Sequence, residues 1–275
     1  MATTTITSGS TVTFSNSGAA ANLTQSGSED GSLQFTFDVL AASGGGTKTT
    51  IYSVDDGVKN DDGGASITVT NKAFADYNKD LLIQDQAGLQ FAETSTKGAK
   101  FWVGTDGKIH YDASSLSAEI QALGANQTFT DTIQYAIKMS NGTLSIGKLT
   151  VTMHGTNDAA VITGTSTAEL TETDAAQSTG GKLDATDVDS SAAFVTQTDA
   201  AGSNGYGKFS IAADGTWTYT MNSAHNEFVG GQDYTDSITV TTADGTSKVL
   251  TVTMQRFRDR GCRADRQRRS DRQRP

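Results

Sequence analysis

The sequence has almost no cysteine or proline and, before position 256, no arginine. Its one cysteine, Cys262, and its one proline, Pro275, both lie in the last 20 residues, so we expect a body that is stable without disulfides. No run of about 18 apolar residues occurs, which predicts that nothing in the chain inserts into a membrane. The N-terminus lacks a basic region followed by an apolar run, so we expect no conventional signal peptide.

Charge is distributed unevenly along the chain. Residues 1–255 contain 12 lysines and 28 acidic residues, a net charge of −16, whereas residues 256–275 contain nine arginines and three aspartates, a net charge of +6. The acidic body, rich in Gly, Ser, Thr and Asp, is typical of a secreted bacterial β protein and has the wrong sign for a nucleic-acid partner. For the arginine-rich tail two interpretations stay open: a disordered end or a different reading frame, and a functional basic arm.

Several landmarks occur twice in the same order, 101 to 108 residues apart. The segment KFWVGTDGKIHYD from Lys100 matches KFSIAADGTWTYT from Lys208, and FTDTIQYAI from Phe129 matches YTDSITVTT from Tyr234. An Asn-Gly-Thr or Asp-Gly-Thr follows in each copy, and then the same four residues, TVTM. The chain therefore contains two copies of one unit, each the size of a β-sandwich.

The repeated hairpin predicts which side chains face the core. A two-residue turn would leave the apolar residues of its two strands on opposite faces, whereas a three-residue loop ending in Gly brings them to one face. The three-residue loop pairs Phe209 with Tyr219 and Ile211 with Trp217. The corresponding pairs in the first copy are Phe101 with Tyr111 and Val103 with Ile109.

The remaining pattern predicts an all-β chain of two tandem immunoglobulin- or cadherin-like β-sandwiches. Many short segments alternate with period two, and only residues 114–124 have the pattern of a helix. We expect a leader or loose strand over 1–27, a first sandwich over 28–154, a second over 159–255, and the tail over 256–275.

The second copy resembles a known family. The segments GTNDAAVITG, AELTETD, GKLDATDVDS, YGKFSIAADGTWTYTMN and YTDSITVTTADGTSKVLTVTM, in this order, resemble the VCBS repeat and the bacterial cadherin-like domains of large secreted adhesins. The first copy resembles the domains that accompany such repeats. The resemblance implies a repeat module of a bacterial surface or secreted adhesin of the RTX type, exported by type I secretion. Its partners would be other repeats of the same or a neighbouring chain.

The resemblance also implies calcium at the joint between the two sandwiches. Calcium prefers six to eight oxygen ligands from carboxylates, amides and backbone carbonyls. Four segments carry such oxygens: the tetrad at 155–158, the glutamate of TET, the D-V-D segment and the aspartate of YTDS. The candidate ligands are Asn157, Asp158, Glu172, Asp187, Asp189 and Asp236.

The same residues have a simpler interpretation as turn residues, because Asn and Asp side chains bond their own backbone. Two further acidic segments, SVDDG at Asp55 and NDDGG at Asp61, are predicted to be solvated loops.

No catalytic motif is recognisable in the sequence, and we predict that the protein is not an enzyme. It contains no G-x-S-x-G elbow, no H-E-x-x-H helix and no P-loop. Two alternatives to a spacer stay open: a module that binds a surface glycan or protein, and an accessory domain of a secreted enzyme. A binding module needs exposed aromatic residues, and Trp102, on the opposite face from Phe101 and Val103, is the candidate for one.

Overall fold

The computed structural model describes residues 3–6, 14–15, 19–44, 46–58, 66–69 and 80–256. The chain divides into two compact units, Met1–Asn157 (unit 1) and Asp158–Pro275 (unit 2). Apart from Arg256, the predicted tail lies outside the described residues, as does the acidic segment at Asp61.

Unit 1 contains eleven described strands and short helical turns. The strands are β1 (Thr3–Ile6), β2 (Phe14–Ser15), β3 (Leu23–Ser28), β4 (Gln34–Phe37), β5 (Thr50–Asp55), β6 (Ser66–Val69), β7 (Glu93–Thr94), β8 (Lys100–Val103), β9 (Ile109–Asp112), β10 (Thr128–Lys138) and β11 (Leu144–His154). The α-helical turns are α1 (Val39–Ala42) and α2 (Ser117–Gln121), and 3-10 turns lie at Asp80–Leu82, Leu89–Phe91 and Ser114–Leu116. The predicted helix over 114–124 is therefore a 3-10 turn continued by α2.

Two sheets form the sandwich of unit 1. One has the order β2-β11-β10-β5 with β3 parallel to β11, and the other has the order β4-β9-β8-β7. Side chains alternate along the strands, so each sheet turns one apolar face inward. The core between them includes Phe101 and Tyr111 from the second sheet and Ile133, Tyr135 and Leu149 from the first. Because β3 pairs with β11 over six residues, the sandwich begins before residue 28.

Unit 2 has eight described strands and the same plan. They are β12 (Val161–Gly164), β13 (Thr167–Thr171), β14 (Ser178–Thr186), β15 (Gln197–Ala201), β16 (Gly207–Ile211), β17 (Thr216–Met221), β18 (Asp233–Thr241) and β19 (Ser247–Gln255). The sheets have the orders β12-β14-β17-β16-β15 and β13-β19-β18. Their inner faces enclose a second core that includes Leu183, Phe209, Trp217, Leu250 and Val252. The predicted fold class, all-β with sandwich domains, is confirmed.

The predicted hairpin register is confirmed in both units. Phe209 lies opposite Tyr219 and Ile211 opposite Trp217. Phe101 lies opposite Tyr111 and Val103 opposite Ile109. Gly107 and Gly215, the third residues of the two loops, have φ of 76° and 83°, the left-handed conformation that a three-residue hairpin needs. Seven of the eight paired side chains are buried and Val103 is partly buried, so these residues belong to the cores.

Candidate functional site

The D-V-D acids lie directly after β14, at the end of unit 2 where the chain enters it, here named the upstream end. Strand β12 runs antiparallel to β14 with Val161 opposite Thr186, which brings residues 158–160 alongside residues 187–189. The backbone N–H of Asp158 accordingly donates to Oδ2 of Asp189 at 3.2 Å. The structure thus brings together Asp158, Asp187 and Asp189.

Each of the two D-V-D carboxylates keeps one oxygen without a hydrogen-bond partner. Oδ1 of Asp187 accepts from the N–H groups of Asp189 at 3.1 Å and Ser190 at 2.7 Å, while Oδ2 is buried and unpartnered. Oδ1 of Asp189 is likewise buried and unpartnered. A buried carboxylate oxygen without a donor is costly, and a cation removes that cost.

An open depression of about 550 Å³ adjoins Asp158 and Asp187. Its lining consists of Asp158, Ala159, Val161, Thr186, Asp187 and Val188, all from unit 2. The depression therefore offers room for an ion and its water ligands beside two of the three acids. Asn157, the last residue of unit 1, is exposed.

Asp244, the aspartate of the repeated Asp-Gly-Thr segment, also lies at this end and was not among the predicted ligands. Its Oδ2 accepts from the backbone N–H of Ala160 at 3.1 Å and from Oγ1 of Thr246 at 2.5 Å. Hydrogen bonds from Thr242 and Thr246 hold the pKa of Asp244 well below its usual range. Asp244 thus ties the start of unit 2 to the loop between β18 and β19.

Glu172 lies at the other end of unit 2, here named the downstream end because the last strand finishes there. Its N–H donates to the carbonyl oxygen of Gln255 at 2.8 Å, at the end of β19. Asp244 and Thr246, which hold Ala160, stand just before β19 begins. Nine residues of extended strand separate the two ends by about 27 Å. Glu172 therefore does not share an ion with Asp187 and Asp189.

Asp236 lies in the core of unit 2 and is 0% exposed. Its carboxylate accepts from the N–H of Asn204 at 2.8 Å, the N–H of Gly207 at 3.0 Å and the hydroxyl of Tyr219 at 3.1 Å. Burial, and then the nearby carboxylate, raise the pKa of the Tyr219 hydroxyl. With three donors on its two oxygens, Asp236 organises the loop between β15 and β16.

Asp131 has the same position in unit 1. It is buried and accepts from the hydroxyl of Tyr111 at 2.7 Å and from Oγ of Ser95 at 2.5 Å. The repeat in the sequence therefore corresponds to a repeated buried Tyr–Asp hydrogen bond. Both aspartates are structural in this arrangement.

Glu29 is a candidate that the sequence analysis did not identify. It follows β3 at the downstream end of unit 1 and is 1% exposed. Oε1 accepts from the N–H and the hydroxyl of Thr156, at 2.5 and 2.7 Å, and Oε2 is buried without a partner. Like Glu172, it directly follows the strand that runs parallel to the last strand of its unit, β3 in unit 1 and β13 in unit 2.

A second acidic group in unit 1 corrects the prediction for SVDDG. Asp55 is 2% exposed rather than solvated, and one oxygen each from Asp55, Asp80 and Glu93 lie within 4.8 Å of one another. Such spacing suits a metal ion. The repulsion among these carboxylates is also relieved when one of them keeps its proton. Burial, followed by the charges of neighbouring acids, raises the pKa of Glu93 to about 9 and that of Asp85 to about 7.

Trp102 lies on the outer face of its hairpin, as predicted, and is partly buried. Its ring stacks on that of His110, with centroids 5.3 Å apart and planes 12° apart. Asp106 and Thr36 lie within hydrogen-bond distance of the His110 ring, at 3.0 and 3.3 Å. The pair is thus part of a local polar cluster on the sheet. Among the described residues, no helix has the length and apolar character needed to cross a membrane.

Comparison with known proteins gives one family and a set of solved structures. Residues 157–256 match the family model of the bacterial cadherin-like domain. No curated protein matches the chain.

The similar structures are extracellular cadherin fragments. They include the protocadherin GammaB4 extracellular domain (12% identity, 88% of this chain and 33% of that chain covered, TM-score 0.35). Protocadherin Gamma C5 EC1-3 (10%, 86% and 66%, TM-score 0.34) and mouse cadherin-23 EC22-24 (15%, 60% and 50%, TM-score 0.33) are also among them. The chain spans less than two thirds of each. These identities and TM-scores are too low to transfer a function.

Proposed function

We propose, from the premise that residues 157–256 form a bacterial cadherin-like domain, that the chain is a structural and adhesive repeat module whose upstream end in unit 2 binds calcium. Asp187 and Asp189 are the principal ligands and Asp158 completes the carboxylate set. The observation that carries this proposal is the pair of buried carboxylate oxygens without partners, Oδ2 of Asp187 and Oδ1 of Asp189. Asp187 also lines an open depression.

Calcium chemistry suits this set better than that of metals such as zinc or copper, which prefer nitrogen or sulfur ligands. The donors are hard oxygens, and neither histidine nor cysteine lines the depression. Calcium would neutralise acids that repel one another and would fix residues 158–160 against residues 187–189. Its role is mechanical: it stiffens the start of unit 2, immediately after the boundary between the units.

The wider setting belongs to the same proposal. A cadherin-like repeat with an acidic body suits the extracellular space or surface of a bacterium, where calcium is available at millimolar concentration. Other repeats of the same or a neighbouring chain are its partners. Glu29 provides a second calcium ligand position, at the downstream end of unit 1, because its Oε2 is buried and unpartnered.

Thermal and urea unfolding of the full chain with calcium and with EGTA tests the proposal. For a Kd on the order of 10⁻⁴–10⁻³ M, about 5 mM calcium stabilises the folded state by about 1–2 kcal/mol. In Asp187→Asn/Asp189→Asn the gain in stability of unit 2, followed by the fluorescence of Trp217, disappears, while any gain of unit 1 through Glu29 remains. Stability in EGTA stays near the wild-type value, because each amide oxygen keeps the backbone donors that Oδ1 of Asp187 and Oδ2 of Asp189 hold.

Asp184→Asn is the matched control. Asp184 is exposed on β14, three residues before Asp187, and its substitution makes the same change in charge. We expect it to keep the full response to calcium. A double variant that responds like the wild type would contradict the assignment of the site, and a wild type with identical unfolding curves in calcium and EGTA would contradict the calcium proposal itself.

A further inference from the structure

The two units carry a buried glutamate at matched positions of their downstream ends. Glu29 follows β3, which runs parallel to the last strand β11, and its N–H donates to the carbonyl oxygen of His154 at 3.0 Å. Glu172 follows β13, which runs parallel to the last strand β19, and its N–H donates to the carbonyl oxygen of Gln255. Both are buried, and each keeps one oxygen without a partner.

The partners of the two carboxylates differ in charge. Among the described residues, the carboxylate of Glu29 accepts only from the N–H and the hydroxyl of Thr156, which are neutral donors, and it has no ion pair. Glu172 faces a guanidinium: Nε of Arg256 lies 3.2 Å from its Oε2. The negative charge of Glu29 thus has no cation supplied by the described part of the chain, whereas that of Glu172 has one.

Arg256 is fixed in this position by the loop between β17 and β18. Its Nη1 donates to the carbonyl oxygens of Asn226 at 2.5 Å and Phe228 at 3.4 Å. Its own carbonyl oxygen accepts from the N–H of Gly231 at 2.9 Å. The guanidinium therefore joins three segments at the downstream end: the residue after β13, this loop and the residue after β19.

We propose that Arg256 is a built-in cation that replaces a divalent ion at the downstream end of unit 2, so that this end is closed without calcium. The inference rests on the proposed function, because it says which ends of the two units respond to calcium. A guanidinium suits the site because it donates several hydrogen bonds in a plane and stays charged at all relevant pH values. Unit 1, with only Thr156 beside Glu29, depends on an ion from solution at the matched position.

Calorimetric titration of the full chain with calcium separates the two glutamates. Glu29→Gln lowers the affinity or the number of calcium ions bound, whereas Glu172→Gln leaves both at the wild-type values. Loss of calcium binding in Glu172→Gln comparable to that in Glu29→Gln would overturn the inference. A wild type that binds no calcium would instead overturn the proposed function.

A double-mutant cycle in EGTA tests the ion pair without calcium. We expect Arg256→Gln to raise the unfolding equilibrium constant, because it leaves a buried carboxylate without its cation. In Glu172→Gln/Arg256→Gln the loss is smaller than the sum of the single losses, with a coupling of about tenfold or more.

Lys182→Gln serves as the control for loss of a positive charge. Lys182 pairs with Asp214 at 3.0 Å on the exposed surface, so its coupling with Asp214→Asn is expected to be small. Equal couplings for the buried and the exposed pair would overturn the role of Arg256. If Arg256→Gln does not fold, the titration of Glu172→Gln still decides the question.

Discussion

The buried carboxylate of Asp236 gives the sharpest test of how unit 2 is held together. Two of its donors are the backbone N–H groups of Asn204 and Gly207, which have fixed directions, and the third is the hydroxyl of Tyr219. Asp236→Asn keeps the size of the side chain and turns one acceptor oxygen into an NH₂ group. In either orientation of the amide, the backbone N–H of Asn204 or that of Gly207 then faces the NH₂ group, which cannot accept its hydrogen bond.

The expected loss of stability follows from these contacts. An N–H left without an acceptor costs about 1–3 kcal/mol, and hydrogen bonds to a neutral amide are weaker than those to a charged group. We therefore expect Asp236→Asn to lower the free energy of unfolding of unit 2 by about 2–4 kcal/mol. The change in EGTA and in calcium should be the same, because Asp236 lies in the core and contributes no ligand to the upstream end.

Asp131→Asn in unit 1 is the matched comparison. Its Oδ1 accepts from the fixed backbone N–H of Thr132 at 2.8 Å, and its Oδ2 accepts only from the hydroxyl groups of Ser95 and Tyr111. The amide oxygen of Asn can therefore keep the N–H of Thr132, while a hydroxyl group can rotate to accept from the NH₂ group. The expected loss is about 1–2 kcal/mol, smaller than for Asp236→Asn.

Urea unfolding followed by tryptophan fluorescence measures both variants. Trp102 lies in unit 1 and Trp217 in unit 2, so each unit has its own reporter. A change below about 0.5 kcal/mol for Asp236→Asn would contradict the stabilising role of this carboxylate, since surface substitutions without special contacts fall in that range. A larger loss for Asp131→Asn than for Asp236→Asn would refute the distinction between fixed and rotating donors.

Two further predictions concern the acids of unit 1 and the packing around Asp236. In EGTA the free energy of unfolding of unit 1 should fall as pH rises from about 5 to about 9. The pKa of Asp85 is about 7 and that of Glu93 about 9 in the folded protein, both above the values in the unfolded chain. Over this range the folded state therefore retains protons that the unfolded state has already released. Urea unfolding at stepped pH measures this, and stability that stays constant or rises over the range would contradict it. Gly202→Ala should destabilise unit 2 by about 1–3 kcal/mol, because a Cβ there would lie 2.0 Å from Cγ of Asp236. Gly44→Ala is the control, because its Cβ would lie 3.9 Å from the nearest atoms of Ala19, and equal losses for both variants would contradict the prediction.

Side-chain alternation and loop length were sufficient to predict the register of the hairpins, because side chains alternate strictly between the two faces of a strand. The three-residue loops at Gly107 and Gly215 fix the parity of the strands they join, and parity decides which side chains enter the core. The internal repeat likewise predicted that Asp131 and Asp236 would be equivalent. Their shared bond to Tyr111 and Tyr219 became visible only in the structure, since those partners come from a different strand.

Such local patterns do not predict which of the candidate ligands form a site. Composition does not distinguish among the six predicted ligands, because all of them carry suitable oxygens: Asn157, Asp158, Glu172, Asp187, Asp189 and Asp236. The antiparallel register of β12 and β14 brings Asp158 beside Asp189, while the length of β19 keeps Glu172 at the opposite end. Asp236 is inside the core because its position on β18 faces inward.

Fold class, repeat and hairpin register were predictable from the sequence, because they depend on alternation and on turn residues that are close together in the chain. Tertiary structure was needed to learn which acids meet, which already have hydrogen-bond partners and which keep an oxygen without one. Glu29 and Thr156 are 127 positions apart, and Glu172 meets Arg256 only because β13 runs parallel to β19. Contacts of that separation are set by strand order and register in the folded sandwich, and no local pattern encodes them.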